Sequence, residues 1–249
     1  MIKNKIFTAL GFGSFALLMV LFLPCFAVLS YFPAGQKWGL RLYRVWGKYS
    51  LFMAGVPTKV IWKGKERLAK GQNAVIVANH SSFLDIPVLG SGPMLTTFLG
   101  KHELTKVPIF GYIYRRFSIV VKRGSMSSAK QAIAMCKEVV NKGQNVAIFP
   151  EGTITKNPPM MGTFKDGAFI VAIDTQVPLV PVSMPYSWKI LPRDKASVHV
   201  HESLMIIHDP IPTKGLTHDD IPRLKEEIKA LLAADLKAYN KEVYSSKEA

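Results

Sequence analysis

The chain reads as an α/β protein, a mixed sheet flanked by helices and preceded by an N-terminal membrane-embedded helical segment. Three observations carry that reading. Short apolar, β-branched runs at 74–78, 118–121 and 146–149 alternate with stretches of helical periodicity, as in sheets whose strands are joined by crossover helices. From Ile6 to Phe32 no residue is charged, a run long enough for a bilayer. Directly after it the chain turns basic and aromatic at helical spacing.

The first 56 residues carry six basic and no acidic side chains. Lys3 and Lys5 precede the apolar run, and Pro24 and Pro33 interrupt it. A basic start before an apolar core also fits a cleaved signal peptide, although no small-x-small cleavage site follows. Lys37, Arg41, Arg44 and Lys48 fall on one helical face, with Trp38, Leu42, Val45, Trp46, Tyr49 and Phe52 largely elsewhere. Such a helix belongs at a lipid interface. Basic residues on both flanks conflict with a single crossing, so a pair of helices broken at Pro24 and returning to the same side is expected. Val56-Pro57 marks the boundary, giving membrane-anchoring helices over 1–56 and an α/β domain over 57–249.

In the second part, strands are expected at 59–62, 74–78, 95–99, 118–121, 146–149, 177–182 and 197–207. Helices are expected over 84–89, from a Ser125 or Ser127 cap to Gly143, over 169–173 and from about 220 to 239. In the last of these Leu224, Ile228, Leu231, Leu232 and Leu236 should face inward. Cys25 and Cys136 lack metal spacing and read as buried apolar fillers in a reducing compartment. His199 and His201 share one face of the last strand, but no third ligand stands near them, so no metal site is expected.

The net charge of +15 calls for an anionic partner: nucleic acid, a phospholipid surface or a phosphorylated substrate. Nucleic acid would leave the uncharged run and the interfacial aromatics unexplained. No phosphate-binding Gly-rich loop and no Gly-x-Ser-x-Gly elbow is present.

The candidate chemistry lies at Asn79-His80-Ser81-Ser82-Phe83-Leu84-Asp85. His80 stands where the 74–78 strand ends and a helix begins, the usual place for catalytic groups in open α/β sheets. Residues five apart meet only across a turn, which a strand-to-helix corner provides. A carboxylate on one imidazole nitrogen fixes the tautomer, leaving the other to take a hydroxyl proton near neutral pH. Ser81 and Ser82 offer N-cap oxygens for the helix, and Ser82 is also a rival nucleophile.

These signatures resemble the glycerophospholipid acyltransferase family, most closely its bacterial 1-acylglycerol-3-phosphate members. Asn79 to Asp85 is similar to that family's Asn-His-x-Ser-x-x-Asp block. Lys101 to Gly111 resembles Lys-Lys-Glu-Leu…Pro-x-Phe-Gly, with His102 in the second Lys place. Phe149-Pro150-Glu151-Gly152-Thr153 follows Phe-Pro-Glu-Gly-Thr-Arg up to the last position, where Ile154 stands. Residues 164–168 and 177–182 resemble two further blocks, and Lys122-Arg123 departs from the usual Asp-Arg.

The resemblance implies transfer of a fatty acyl group from acyl-CoA or acyl carrier protein to the free sn-2 hydroxyl of 1-acylglycerol-3-phosphate. The product is phosphatidic acid, and no metal or other cofactor is needed. It implies His80 as base and Asp85 as its partner, with Arg123 on the acceptor phosphate. Glu151, Gly152 and Thr153 would line the acceptor site, Gly152 letting backbone amides approach the oxyanion. Asn79, Ser82, Lys101 and Lys156 complete the expected substrate-binding set, Lys156 standing in for the arginine replaced by Ile154. The implied setting is the cytoplasmic face of the inner membrane. Another lysolipid acceptor, or a catalytically silent lipid-binding module, are the alternatives.

Overall fold

The computed structural model describes residues 2–32, 34–122 and 126–248, with side chains to residue 245. Helix α1 (Ile2–Leu29) runs unbroken through Pro24, so the expected break there does not occur. The chain reverses instead after Leu29, and α2 (Gly35–Met53) returns alongside α1. Close approach holds the pair together: a Cβ on Gly11 would stand 2.6 Å from Ala54 Cβ, and one on Gly35 would collide with the Leu29 carbonyl. Lys3 and Lys5 therefore lie at the same end of the hairpin as Lys48. By length and composition α1 could cross a membrane. Cys25 is exposed on it, against expectation, because α1 turns only one face toward protein, whereas Cys136 is buried.

On α2, Trp46 is buried against Phe15 and Phe26 of α1. Trp38, Val45, Tyr49 and Phe52 form an exposed stripe at helical spacing, with the Arg41 guanidinium 4.3 Å from the Trp38 ring centre. Arg44 turns inward and donates to the Pro93 carbonyl at 2.7 Å.

The domain then follows as β1 (Thr58–Trp62), β2 (Val75–Ala78), α3 (Asp85–Ser91), β3 (Thr96–Lys101), α4 (Phe110–Phe117) and β4 (Ile119–Val121). Next come α5 (Met126–Asn141), β5 (Asn145–Ile148), α6 (Gly167–Thr175), β6 (Leu179–Ser183), α7 (Ser187–Ile190) and β7 (Ser203–Ile207). Helices α8 (Ile221–Tyr239) and α9 (Lys241–Glu248) end it. The strands form one sheet in the order β1-β7-β6-β2-β5-β3-β4. All neighbours are parallel except β6 and β7, so the expected mixed sheet is present.

Both faces of the central strands are covered, which is why they read as continuous apolar runs. Ile76 and Ala78 of β2 join a core with Leu51 of α2, Val88 and Leu89 of α3 and Ile190 of α7. Val75 and Val77 join the opposite core, with Val140 of α5, Phe169 of α6 and Leu224, Ile228 and Leu232 of α8. Leu231 is partly exposed at the edge of α8 rather than inward.

Three expectations are corrected. Residues 197–202 are not strand: Val198 and Val200 donate their amides to Thr8 Oγ1 and Asn4 Oδ1 of α1, and His199 to the Ile190 carbonyl. The two histidines are exposed there. Ser127 lies inside α5 and so does not cap it; Ser125 is outside the described residues. Finally, α4 is a helix where only a motif was anticipated. It packs Phe117 on Phe26, ring centres 5.1 Å apart, joining the N-terminal hairpin to the sheet.

Candidate active site

The C-terminal ends of β2, β5 and β6 lie side by side, and the loops leaving them converge on His80. After β2 the chain turns sharply, so the first residue of α3 reaches back. His80 Nδ1 is 2.9 Å from Asp85 Oδ2. The same oxygen accepts the amides of Ser81 at 2.7 Å and Ser82 at 2.8 Å. Asp85 thus ties down the turn that precedes its helix and holds the histidine at once. It is wholly enclosed, while His80 keeps a small opening to solvent. Because a carboxylate only accepts, Nδ1 must carry the proton of the neutral ring, leaving the Nε2 lone pair free. Phe149 stacks on the imidazole with centres 4.1 Å apart, fixing its plane.

The neighbouring loops brace this corner. Asn79 bridges to the end of β6, donating to the Met184 carbonyl at 3.2 Å and accepting the Met184 amide at 2.7 Å. Glu151 is buried, and both its oxygens are occupied: His80 N–H donates to one and Gly162 N–H to the other, each at 2.8 Å. Burial pushes its carboxyl above the usual glutamate value, and those two amides pull it part of the way back. The Thr155 amide donates to the His80 carbonyl at 2.9 Å.

Several of the expected substrate contacts are also hydrogen-bonded within the protein. Glu151 accepts one backbone amide on each oxygen and so braces the loop that carries His80. Ser82 is buried; its hydroxyl donates to the Leu191 carbonyl at 2.6 Å and accepts the Leu84 amide at 3.0 Å. That leaves no free nucleophile there. Gly152 adopts a φ of 70°, which favours glycine, but its amide is taken by the Phe149 carbonyl at 3.0 Å. Any amide approaching an oxyanion here is therefore one other than that of Gly152 itself.

The basic residues lie around the rim. Lys101 is exposed at the end of β3 and Lys156 beyond the Glu151 turn, with Thr153 exposed between. Arg123 lies outside the described residues. Two cations outside the expected substrate-binding set join them. Lys165 lies across Gly152, its Nζ 3.0 Å from where a Cβ would stand, and Arg193 donates to the Ile154 carbonyl at 3.3 Å. Lys165 belongs to the 164–168 block, for which no side-chain role is expected, whereas Arg193 comes from a segment remote in sequence with no local pattern. Among the described residues no His, Cys, Asp or Glu cluster could hold a metal ion.

A buried, carboxylate-held histidine with one free nitrogen can activate a hydroxyl for attack on an acyl group. The family model described as Acyltransferase matches residues 59–185, just over half of the chain and all of this corner. The chain belongs to the acyltransferase family. This acyltransferase is 34% identical over 187 residues to a chloroplastic 1-acyl-sn-glycerol-3-phosphate acyltransferase of Arabidopsis thaliana, covering 74% of this chain and 51% of that one. It is 29% identical over 211 residues to the lyso-ornithine lipid O-acyltransferase of Pseudomonas aeruginosa, covering 75% and 76%. The chain spans about half the length of the first curated relatives it matches. In fold, the acyltransferase is similar to the 1-acyl-sn-glycerophosphate acyltransferase PlsC of Thermotoga maritima. The TM-score is 0.76 at 22% identity, over 95% of this chain and 96% of that one.

Proposed function

We propose that this acyltransferase moves a fatty acyl group from a thioester donor to the free sn-2 hydroxyl of 1-acylglycerol-3-phosphate, forming phosphatidate. The observation that carries the reading is the His80–Asp85 pair, with Nδ1 engaged and Nε2 free. Nε2 takes the hydroxyl proton as the oxygen attacks the thioester carbonyl. Asp85 stabilises the imidazolium that results. The tetrahedral intermediate collapses with cleavage of the C–S bond, and the leaving thiolate recovers the proton from His80. With Ser82 committed to Leu191 and Leu84, transfer is direct, without an acyl-enzyme.

The exposed cations Lys101 and Lys156, together with Arg123, are assigned to the acceptor phosphate, since ammonium and guanidinium groups bind phosphate oxygens strongly. The acceptor has one acyl chain and resides in the bilayer. The exposed Trp38, Val45, Tyr49 and Phe52 stripe, beside Lys37, Arg41 and Lys48, would hold the enzyme at that surface. The donor is acyl-CoA or acyl carrier protein, and the basic surface accommodates either acidic partner. The proposed setting is the cytoplasmic face of the inner membrane.

Ile154 favours a second reading, in which the acceptor is another lysolipid without a phosphate monoester. Purified enzyme offered lysophosphatidate, lyso-ornithine lipid, lysophosphatidylglycerol and lysophosphatidylcholine, each with acyl-CoA and acyl carrier protein, tests both readings. Preferential formation of phosphatidate is expected. Preference for a different acceptor would overturn the first reading.

A further inference from the structure

The peptide joining Ile154 to Thr155 has a His80 contact on one side and an arginine on the other. Its N–H donates to the His80 carbonyl at 2.9 Å, and its C=O accepts from Arg193 Nη1 at 3.3 Å. The Arg193 guanidinium therefore stands one peptide plane from the catalytic histidine's own backbone. A second bond ties the same segment to the site: Ser82 Oγ donates to Leu191 O, two residues before Arg193. The 191–193 stretch is thus moored to both catalytic loops, although it lies far along the chain from either.

What the guanidinium does there is left open by the protein's own contacts. It carries five N–H donors, and the one hydrogen bond described for it leaves the rest available. Arg193 is exposed, and among the described residues no carboxylate pairs with it, Asp194 included. Ile154, by contrast, is buried at 7% exposure and can offer an anion nothing. A free, forked cation whose one anchor is the Ile154 carbonyl matches the chemistry of a phosphate monoester.

We infer that Arg193 is a phosphate-binding residue of the acceptor site, supplying from the α7–β7 connection the guanidinium that Ile154 does not. The inference rests on lysophosphatidate being the acceptor. It makes acceptor selection depend on a loop outside the segment matched by the family model, which ends at residue 185. Relatives with the same Glu151 turn can then differ in acceptor through this loop alone.

Arg193→Gln and Arg193→Lys, in full-length enzyme in micelles, separate this role from a plain clamp on the loop. Glutamine can still donate to the Ile154 carbonyl but carries no charge; lysine restores charge without the fork. Arg193→Gln should raise the lysophosphatidate KM, lowering kcat/KM about 10- to 100-fold, the range of a lost charge-assisted contact. The donor KM and the melting temperature should hold, and Arg193→Lys should recover part of the loss. An unchanged acceptor KM in Arg193→Gln overturns the inference. So does a joint fall in kcat, donor affinity and melting temperature, which marks a structural clamp. So does the same KM shift arising from Lys165→Gln while Arg193→Gln is normal. Wild-type enzyme inert on lysophosphatidate brings down the underlying reading instead, and this inference with it.

Discussion

His80 Nδ1 lies 2.9 Å from Asp85 Oδ2, and that single oxygen also receives the amides of Ser81 and Ser82. The carboxylate therefore fixes the β2–α3 turn and orients the imidazole in one. Asp85→Asn presents either an N–H or a weaker carbonyl acceptor to those donors. Activity is expected to fall about 10²- to 10⁴-fold through a misoriented imidazole. A loss confined to kcat in Asp85→Asn, at unaltered acceptor KM and melting temperature, checks the orienting role.

Ser82 sits two residues past His80, yet its hydroxyl joins the catalytic corner to Leu191 and to Leu84, the residue just before α3. Ser82→Ala should lower stability by about 1–2 kcal/mol, the cost of a buried hydrogen bond lost on both sides. Turnover at a temperature where the variant is folded should stay within about tenfold of wild type. Intact-protein mass spectrometry after quenching with donor alone should show no acyl adduct. An adduct that disappears in Ser82→Ala would reverse the direct-transfer mechanism.

Asp235 of α8 is enclosed and accepts from His208 Nε2 at 2.7 Å and from Lys63 Nζ at 2.5 Å, pinning the last long helix beneath β1 and β7. Burial alone would push this carboxyl up, but the bonds from His208 and Lys63 outweigh it and hold it below the ordinary 3.8. A lowered carboxylate contributes stability that is present above its unfolded value and lost as pH falls through its folded one. Asp235→Asn should therefore cost about 2 kcal/mol at pH 7. The gap to wild type should begin to narrow only below about pH 3.8, the ordinary value, and close as pH falls through the lower folded one. Thermal melts of both proteins from pH 7 to pH 3 read this directly.

The reversal after Leu29 brings Lys3, Lys5 and Lys48 to one end of the α1–α2 hairpin, with Lys37 and Arg41 toward the other, and the positive-inside rule places the end that holds both helix termini inside. In a background with Cys25 and Cys136 replaced, Lys3→Cys and Lys48→Cys should both resist an impermeant thiol reagent outside intact cells. Both should react once the cells are opened. Labelling of one alone from outside would mean that α1 crosses the bilayer.

Much of this was legible in the sequence because the informative contacts are local or strongly patterned. The apolar runs at β2, β5 and β6 announce strands buried on both faces, and the five-residue step from His80 to Asp85 needs only one turn. What escaped depends on distant partners. Residues 197–202 have strand-like alternation, but Asn4 and Thr8 of α1 take the amides of Val198 and Val200. Helix α4 is hidden behind Pro108 and a tight turn at Ile109, whose φ is 62° and where the Phe110 amide closes on the Pro108 carbonyl. Glu151 stands in a recognisable block, yet only the fold shows both its oxygens turned to backbone amides. Arg193 has no motif at all.

The central claim is that His80 Nε2 activates the lysophosphatidate hydroxyl for direct attack on a thioester. Mass-spectrometric quantification of phosphatidate made by wild type and by folded His80→Ala, with equal donor and acceptor, tests it most directly. Phosphatidate is expected from wild type, with a loss of at least about 10²- to 10⁴-fold in His80→Ala and its melting temperature retained. Phosphatidate formed by His80→Ala at a rate close to wild type would contradict it.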